Sequence, residues 1–194
     1  MSVAGESVPF RSGTRMPRVP TDTIVLIGFM GAGKSTVGRL LADRLGIRYV
    51  DADHELEARA GRSIPSFFEA GEESAFRAME VEVVRSLVAQ REPHVVSTGG
   101  GWGADPARVR SLPKGVVSIW LRVRPEVAVA RASGEGLSQS EPVRPLLAVD
   151  DPVAEARDLI ASREPGYAAA SFAIETDDRH PGQIVDDIID RLET

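Results

Sequence analysis

One segment of the sequence, GFMGAGKST at positions 28–36, constrains the fold more than any other. It follows the apolar, β-branched run TIVLI and precedes four apolar residues at helical spacing: Val37, Leu40, Leu41 and Leu45. This order predicts a buried strand, a glycine-rich loop and then a helix that ends at Gly46. Glycines allow several backbone N–H groups of such a loop to point at one anion, and the helix N-terminus adds its positive dipole. The segment therefore predicts a phosphate-binding site.

The same segment matches the P-loop pattern of nucleotide-binding proteins, in which four residues separate Gly28 from Gly33, Lys34 and Ser35. We expect Lys34 to reach the β- and γ-phosphates of ATP and Ser35 to ligate Mg²⁺. The residues predicted to bind ATP in this loop are Gly31, Ala32, Gly33, Lys34, Ser35 and Thr36. The alternative, a glycine-rich turn without a ligand, is disfavoured because a strand and a helix flank the loop.

Short β-branched runs alternate with helical periodicity along the rest of the chain. After the strand at 23–28, further strands are predicted at 47–51, 94–98, 116–121 and 172–176. Helices are predicted at 74–90, 125–132 and 152–163, and a last helix carries Ile184, Val185, Ile188, Ile189 and Leu192. The alternation predicts an α/β fold with three α-β-α layers and a mainly parallel five-stranded sheet, of the P-loop NTPase and nucleoside monophosphate kinase type.

Length and composition favour one domain, at residues 21–194. The chain has 194 residues, no cysteine and a net charge of -6, which argues weakly against binding of nucleic acid or anionic membranes. The absence of cysteine excludes disulfides and thiolate metal sites and permits a reducing compartment. No apolar run approaches the roughly 20 residues of a membrane-spanning helix. We therefore expect a soluble, cytoplasmic protein that binds neither nucleic acid nor membranes.

Two segments have the composition of flexible chain. Residues 1–20 mix Ser, Gly, Pro and Arg without periodicity, which predicts a flexible N-terminal extension. A transit peptide is the alternative, but three prolines oppose the amphipathic helix that it requires. Residues 133–145, SGEGLSQSEPVRP, predict a mobile loop that closes over the active site as a lid and carries Arg144.

Two aspartates follow the second predicted strand. Asp51 and Asp53 are expected at the carboxyl edge of the sheet, beside the phosphate site. Asp51 can hold Mg²⁺ through water, and Asp53 can meet a substrate hydroxyl or accept its proton. The alternative for Asp53 is a helix N-cap before HELEARA.

An arginine and three glycines form the next candidates. Arg77 precedes Glu80 by three residues, a spacing that also suits an ordinary surface salt bridge. The strand at 94–98 runs into Gly99, Gly100 and Gly101, an entropically costly run unless the backbone approaches a ligand. These glycines therefore predict a substrate contact.

Five motifs, taken in order, resemble those of the shikimate kinases, small P-loop enzymes of aromatic amino-acid biosynthesis. They are GFMGAGKST, D-A-D at 51–53, F-R-A-M-E at 76–80, G-G-G at 99–101 and R-P-L-L at 144–147, followed by an arginine and tyrosine pair at 163 and 167. The resemblance covers about residues 22–193. It implies transfer of phosphate from ATP, with Mg²⁺, to the 3-hydroxyl of shikimate, giving shikimate 3-phosphate and ADP on the route to chorismate.

The resemblance also implies roles for single residues. Shikimate is expected to contact Asp53, Arg77, Arg163 and the glycines 99–101, with both arginines on its carboxylate. Lys34, Asp53 and Arg144 are the implied catalytic residues. Arg144 is expected to contact ATP and stabilise the transferring phosphoryl group, and Arg179 to line the adenine. A monomer is expected, since no exposed apolar stripe is evident.

Some features depart from the family pattern, and other functions stay open. The inserted LSQSE lengthens the predicted lid. Trp102 stands where a smaller residue is expected, so it either packs under the lid or narrows the acceptor pocket. Gly166 is expected to loosen the helix beyond Arg163. A gluconate-type kinase or nucleoside monophosphate kinase would share the P-loop and fold, and so would a noncatalytic nucleotide-binding module.

Overall fold

The computed structural model describes residues 22–133 and 150–194, and within them one five-stranded sheet forms the centre of the fold. The strands are β1 (Thr23–Ile27), β2 (Arg48–Asp51), β3 (His94–Ser97), β4 (Val116–Arg122) and β5 (Phe172–Glu175). Their order is β2-β3-β1-β4-β5, and all neighbouring pairs are parallel. The predicted sheet is confirmed. The N-terminal extension and most of the predicted lid, with Arg144, lie outside the described residues.

Helices cover both faces of this sheet. They are α1 (Lys34–Leu45), α2 (Ala52–Ala60), α3 (Ile64–Glu69), α4 (Glu73–Val88), α5 (Pro106–Arg110), α6 (Pro125–Ala132), α7 (Pro152–Tyr167) and α8 (Pro181–Leu192), with a 3₁₀ turn at Trp102–Ala104. Gly46 ends α1 in the left-handed conformation, as predicted. The short helices α3 and α5 were not predicted from the sequence.

The two faces of β1 explain the three layers. Ile24 and Leu26 belong to one core cluster, with side chains of α1, α6, α7 and α8, whereas Val25 and Ile27 belong to the other, with side chains of α2, α3, α4 and α5. All four are fully buried. A strand alternates its side chains between faces, so a continuous apolar run is what a sheet covered on both sides requires.

Two expectations about unusual residues were wrong. Trp102 is a buried member of the second core cluster and does not line the acceptor cavity described below, so the expectation that it narrows this pocket was wrong. The alternative, that it packs under the lid, concerns segments outside the described residues. Gly166 does not loosen α7. A Cβ atom there would lie 2.2 Å from the Ala104 carbonyl oxygen, so glycine lets α7 pack directly on the 3₁₀ turn.

The parallel register brings the carboxyl ends of β1, β2 and β3 to one edge. Asp51 pairs with Ser97, and Leu26 also pairs with Ser97, so the segments after these strands start side by side. This edge of an open α/β sheet is the usual ligand-binding position. Across residues 22–133 and 150–194, no helix combines the length and apolar character needed to cross a bilayer.

Candidate active site

The P-loop follows β1 and depends on glycine at defined positions. Gly28, Gly31 and Gly33 have φ angles of 140°, 72° and 87°. A Cβ on Gly28 would lie 2.5 Å from the Leu121 carbonyl oxygen, and one on Gly31 would lie 2.3 Å from that of Ala128. Both contacts are too short for any side chain, and the φ angles disfavour L-residues independently. The loop is therefore held against the backbone of its neighbours.

Lys34 is the first residue of α1, and its ammonium group lies over the loop. Its Nζ donates hydrogen bonds to the carbonyl oxygens of Gly28 and Phe29, both at 2.9 Å. Gly33, the N-cap, has no side chain with which to cap the helix, so the amides of the first turn face the loop without a side-chain acceptor from the cap. Positive charge and N–H donors converge there, which suits an anionic ligand. The other predicted loop residues, Ala32, Ser35 and Thr36, lie in the same turn.

Ser35 and Asp51 meet across the edge of the sheet. The Ser35 hydroxyl donates to Asp51 Oδ2 at 3.2 Å, and the same oxygen accepts from Tyr49 at 3.0 Å and from Ser97 at 3.1 Å. Three hydroxyl donors therefore fix the position of the Asp51 carboxylate. Ser35 and Asp51, the two residues predicted to hold Mg²⁺, therefore lie in contact.

The oxygen donors at this position fit Mg²⁺. In the described part of the chain, no group of three or more His, Cys, Asp or Glu residues forms a metal cage. Mg²⁺ is commonly held by one or two protein oxygens together with substrate phosphates and water, so a cage is not needed. Ser35 would supply a hydroxyl ligand, and Asp51 would bind a water of the ion.

Asp53 lies in the first turn of α2, but it is not the helix cap. The cap is Asp51, whose Oδ1 accepts from the Asp53 amide at 3.1 Å, so the capping alternative for Asp53 was wrong. Burial, together with the negative charges of Asp51 and Glu80, raises the pKa of Asp53 to about 6, against the lowering effect of Lys34. Asp53 is thus a carboxylate of unusual basicity beside the P-loop.

Two of the three glycines 99–101 leave no room for a Cβ atom beside charged side chains, and the third offers its carbonyl to α7. A Cβ on Gly99 would lie 2.7 Å from both Asp53 Oδ1 and Glu80 Oε1, and one on Gly101 would lie 2.6 Å from a terminal nitrogen of Arg77. The Gly100 carbonyl accepts from Tyr167 at 2.5 Å and from Arg163 at 3.3 Å. The run therefore brings the side chains of α2, α4 and α7 close to one stretch of backbone.

Arg77 and Glu80 form an ion pair, but it is not an ordinary surface one. Arg77 Nη1 donates to Glu80 Oε2 at 3.2 Å, and Glu80 is only 2% exposed. Burial raises the pKa of Glu80, and Arg77 acts in the opposite direction. Glu80 Oε1 is buried without a hydrogen-bond partner among the described residues. A buried acceptor left unpaired in this way is a position at which a ligand donor could bind.

Arg77 on α4 and Arg163 on α7 line the same cavity. This cavity, called the acceptor cavity below, has a volume of about 360 Å³ and is lined by Arg77, Gly101, Ala104, Asp105, Arg108 and Arg163. The Arg163 guanidinium also lies 5.6 Å from the centre of the Phe29 ring, within the P-loop. The cavity therefore adjoins the phosphate loop.

Arg179 lies apart from these residues, after β5. It forms an ion pair with Asp187 at 2.7 Å and donates to the Glu175 and Gln183 carbonyls. Arg131 was not predicted, yet it donates to the Gly31 carbonyl at 3.3 Å and to the Thr176 carbonyl at 2.7 Å. A single arginine in a helical segment gave no local signal of this contact with the P-loop.

Comparison with known proteins agrees with this geometry. A family model described as shikimate kinase matches residues 30–193. The chain belongs to the shikimate kinase family. It is 43% identical over 171 residues to a shikimate kinase of Symbiobacterium thermophilum, covering 88% of this chain and 95% of that protein. Shikimate kinase from Acinetobacter baumannii, solved in complex with shikimate, is 33% identical with a TM-score of 0.79, covering 90% and 94% of the two chains.

These matches confirm the interpretation of the motif series, the predicted P-loop kinase fold and the predicted enzyme class. A gluconokinase from Sinorhizobium meliloti also matches, with a TM-score of 0.59 at 19% identity over 91% of this chain and 93% of that one. At that identity the likeness shows the common fold alone. The family membership therefore rests on the shikimate kinases.

Proposed function

We propose that the chain transfers the γ-phosphoryl group of ATP to the 3-hydroxyl of shikimate, producing shikimate 3-phosphate and ADP for aromatic amino-acid biosynthesis. The observation that carries the proposal is the acceptor cavity, where Arg77 and Arg163 converge next to the P-loop of a net-acidic protein. Shikimate has one carboxylate and several hydroxyls. Two guanidiniums suit the carboxylate, and Asp53 suits a hydroxyl.

The P-loop would bind the nucleotide. Backbone amides from Gly31 to Thr36 would bind the phosphates, and Lys34 would leave its two loop carbonyls to contact the β- and γ-phosphates. Mg²⁺, when bound, neutralises phosphate charge, and Ser35 with Asp51 would hold it. Once these groups contact the phosphates, little further reorganisation would be needed in the transition state.

Asp53 is the group that would accept the proton of the acceptor hydroxyl. Its raised pKa of about 6 makes it a stronger base than an exposed aspartate, while it is still mostly ionised at neutral pH. Gly99 leaves room for its carboxylate beside the sheet edge. A residue with these properties would orient the hydroxyl toward the γ-phosphate and remove its proton as the bond forms.

The roles of Arg144 and Arg179 remain predictions. Arg144, beyond the described residues, would contact ATP and stabilise charge on the transferring group from the predicted lid at 133–145. Arg179 would line the adenine, for which it would turn from its ion pair with Asp187. It also remains a prediction that the protein is monomeric and cytoplasmic and binds no nucleic acid. Size-exclusion chromatography with light scattering tests its oligomeric state.

One assay separates the proposed function from its alternatives. ATP consumption is measured with shikimate, gluconate and nucleoside monophosphates as acceptors, with Lys34→Ala as the inactive control. We expect turnover with shikimate far above that with the others. Faster turnover with gluconate or a nucleoside monophosphate would identify a gluconate-type or nucleoside monophosphate kinase. Binding of ATP without turnover of any acceptor would indicate a noncatalytic nucleotide-binding module.

A further inference from the structure

A third arginine lines the acceptor cavity, and the sequence motifs do not include it. Arg108 lies on α5, whereas Arg77 lies on α4 and Arg163 on α7, so the three guanidiniums come from three different helices. Arg108 is 29% exposed. The positive charge of Arg108 also lowers the pKa of the buried Glu80, so its guanidinium lies within electrostatic range of the Glu80 carboxylate.

The local structure holds Arg108 at the cavity wall. Asp105 caps α5 by accepting the Ala107 amide at 2.8 Å, and Asp105 Oδ2 lies 3.3 Å from Arg108 Nε. Val109, the next residue, is buried in the core and anchors the helix. Among the described residues, the terminal nitrogens of Arg108 have no protein acceptor within hydrogen-bond distance. Its ion pair uses Nε alone, so two donors remain for a ligand.

The residues that line the cavity carry a net positive charge. Three of them are arginines, and one, Asp105, is acidic. Glu80 pairs with Arg77 from outside the lining, and Glu73 also contacts Arg77, but the Glu73 side chain is 60% exposed, so solvent screens it. The lining therefore favours an acceptor with a negative charge over an uncharged one.

We propose that Arg108 is a third basic residue of the acceptor site and that it favours an acceptor with a negative charge. This inference rests on the proposed function and adds a residue that determines specificity. Arg77 already pairs with Glu73 and Glu80, so part of its positive charge is compensated within the protein. Arg108 supplies the surplus positive charge on the wall of the cavity.

The experiment compares two arginines of one helix. Arg108→Gln is expected to raise the KM for shikimate about two- to fivefold, the size usual for a partly exposed charge, with the KM for ATP unchanged. It should also weaken the dependence of kcat/KM for shikimate on ionic strength. Arg110→Gln is the matched control, because Arg110 is exposed and does not line the cavity. Equal KM values for the two variants would overturn the proposal.

A second variant should change the KM for shikimate in the opposite direction. Asp105→Asn removes the negative charge beside Arg108 but retains a side chain that caps helices equally well, so the KM for shikimate should fall. If Arg108 acted only by stabilising α5, both Arg108→Gln and Asp105→Asn would raise the KM. That result would contradict the electrostatic role. Matching thermal unfolding midpoints for Arg108→Gln and Arg110→Gln check that α5 remains folded.

Failure of this inference is distinct from failure of the proposed function. If the wild-type protein turns shikimate over and the two variants, Arg108→Gln and Arg110→Gln, have the same KM, the proposed function stands. Arg108 then has no role in it. If the wild-type protein does not turn shikimate over, calorimetric binding of shikimate to the same variants decides the role of Arg108. Weaker binding by Arg108→Gln than by Arg110→Gln then supports the role of Arg108 but not the proposed function. If the wild-type protein does not bind shikimate, both claims are overturned.

Discussion

Replacing Asp53 with asparagine should inactivate the protein and stabilise it at the same time. Burial and two neighbouring carboxylates raise the pKa of Asp53 from 3.8 to about 6. At about 1.4 kcal/mol per pKa unit, this rise corresponds to about 3 kcal/mol of stability lost by keeping the charge in the folded protein at neutral pH. Asn fills the same volume without the charge, so Asp53→Asn removes that penalty. We expect a gain of about 1–3 kcal/mol in the free energy of unfolding, because relaxation of the site reduces the full value.

The pH dependence gives the sign of this effect. Asp53 binds its proton more tightly in the folded than in the unfolded chain, so wild-type stability falls as pH rises through the window from 3.8 to about 6. Urea unfolding at about pH 7.5 should show the gain, and at about pH 4, where Asp53 is protonated in the folded state, the gain should be small. Asp158→Asn, on the exposed face of α7, is the control. An equal gain at both pH values would refute the reasoning.

Activity should change in the opposite direction. Asp53→Asn keeps ATP affinity but cannot accept a proton, so its turnover should fall strongly, by about 10²-fold or more. In the wild-type protein, kcat/KM for shikimate should decrease as pH falls below about 6, since the ionised carboxylate is the active form. Near-normal turnover by the variant would show that Asp53 is not the base.

The remaining predictions concern the phosphate loop, the acceptor cavity, the glycine run and the predicted lid. Lys34→Ala should abolish phosphoryl transfer with an unchanged circular dichroism spectrum, because the side chain supplies charge and little packing; substantial residual turnover would contradict the loop assignment. Arg77→Lys should raise the KM for shikimate about tenfold by losing the bidentate fork, and a shikimate ester should be a poor wild-type substrate; equal rates for ester and acid would argue against carboxylate binding. Gly99→Ala should displace the two carboxylates that lie 2.7 Å from its Cβ and reduce turnover while ATP binding, measured by calorimetry, persists. Arg144→Ala should lose turnover more than stability, and hydrogen exchange across 133–145 should slow when ATP and shikimate bind; an active variant with equal exchange would remove the lid.

The elements that could be predicted are those whose signal is local. The strand, the glycine loop and the helix around Lys34 follow from residues adjacent in sequence, and so does the ending of α1 at Gly46. The acceptor site could be assembled only by its likeness to a family, because α2, α4 and α7 meet at the glycine run through long-range packing. Arg108 and Arg131 were missed for the same reason, since a single arginine in a helix gives no local signal of what it contacts.

The wrong expectations have a common physical cause. Trp102 and Gly166 were each interpreted alone, as a large residue that fills a pocket and a small residue that weakens a helix. In the fold, the tryptophan fills the core beside the 3₁₀ turn, and the glycine gives α7 direct contact with the backbone of that turn. The size of each residue makes sense only with its packing partners, which no single-sequence pattern supplies.

The contact of Gly31 with Ala128 has a mechanical consequence. The absent side chain at position 31 puts the backbone of the P-loop directly against the backbone of α6, and Arg131, one turn further along α6, donates to the Gly31 carbonyl. A direct contact between two backbone segments is rigid, because no flexible side chain lies between them to absorb a displacement. A displacement of the loop at Gly31 would therefore displace α6 with it, as far as the C-cap Ser133, the last described residue before position 150.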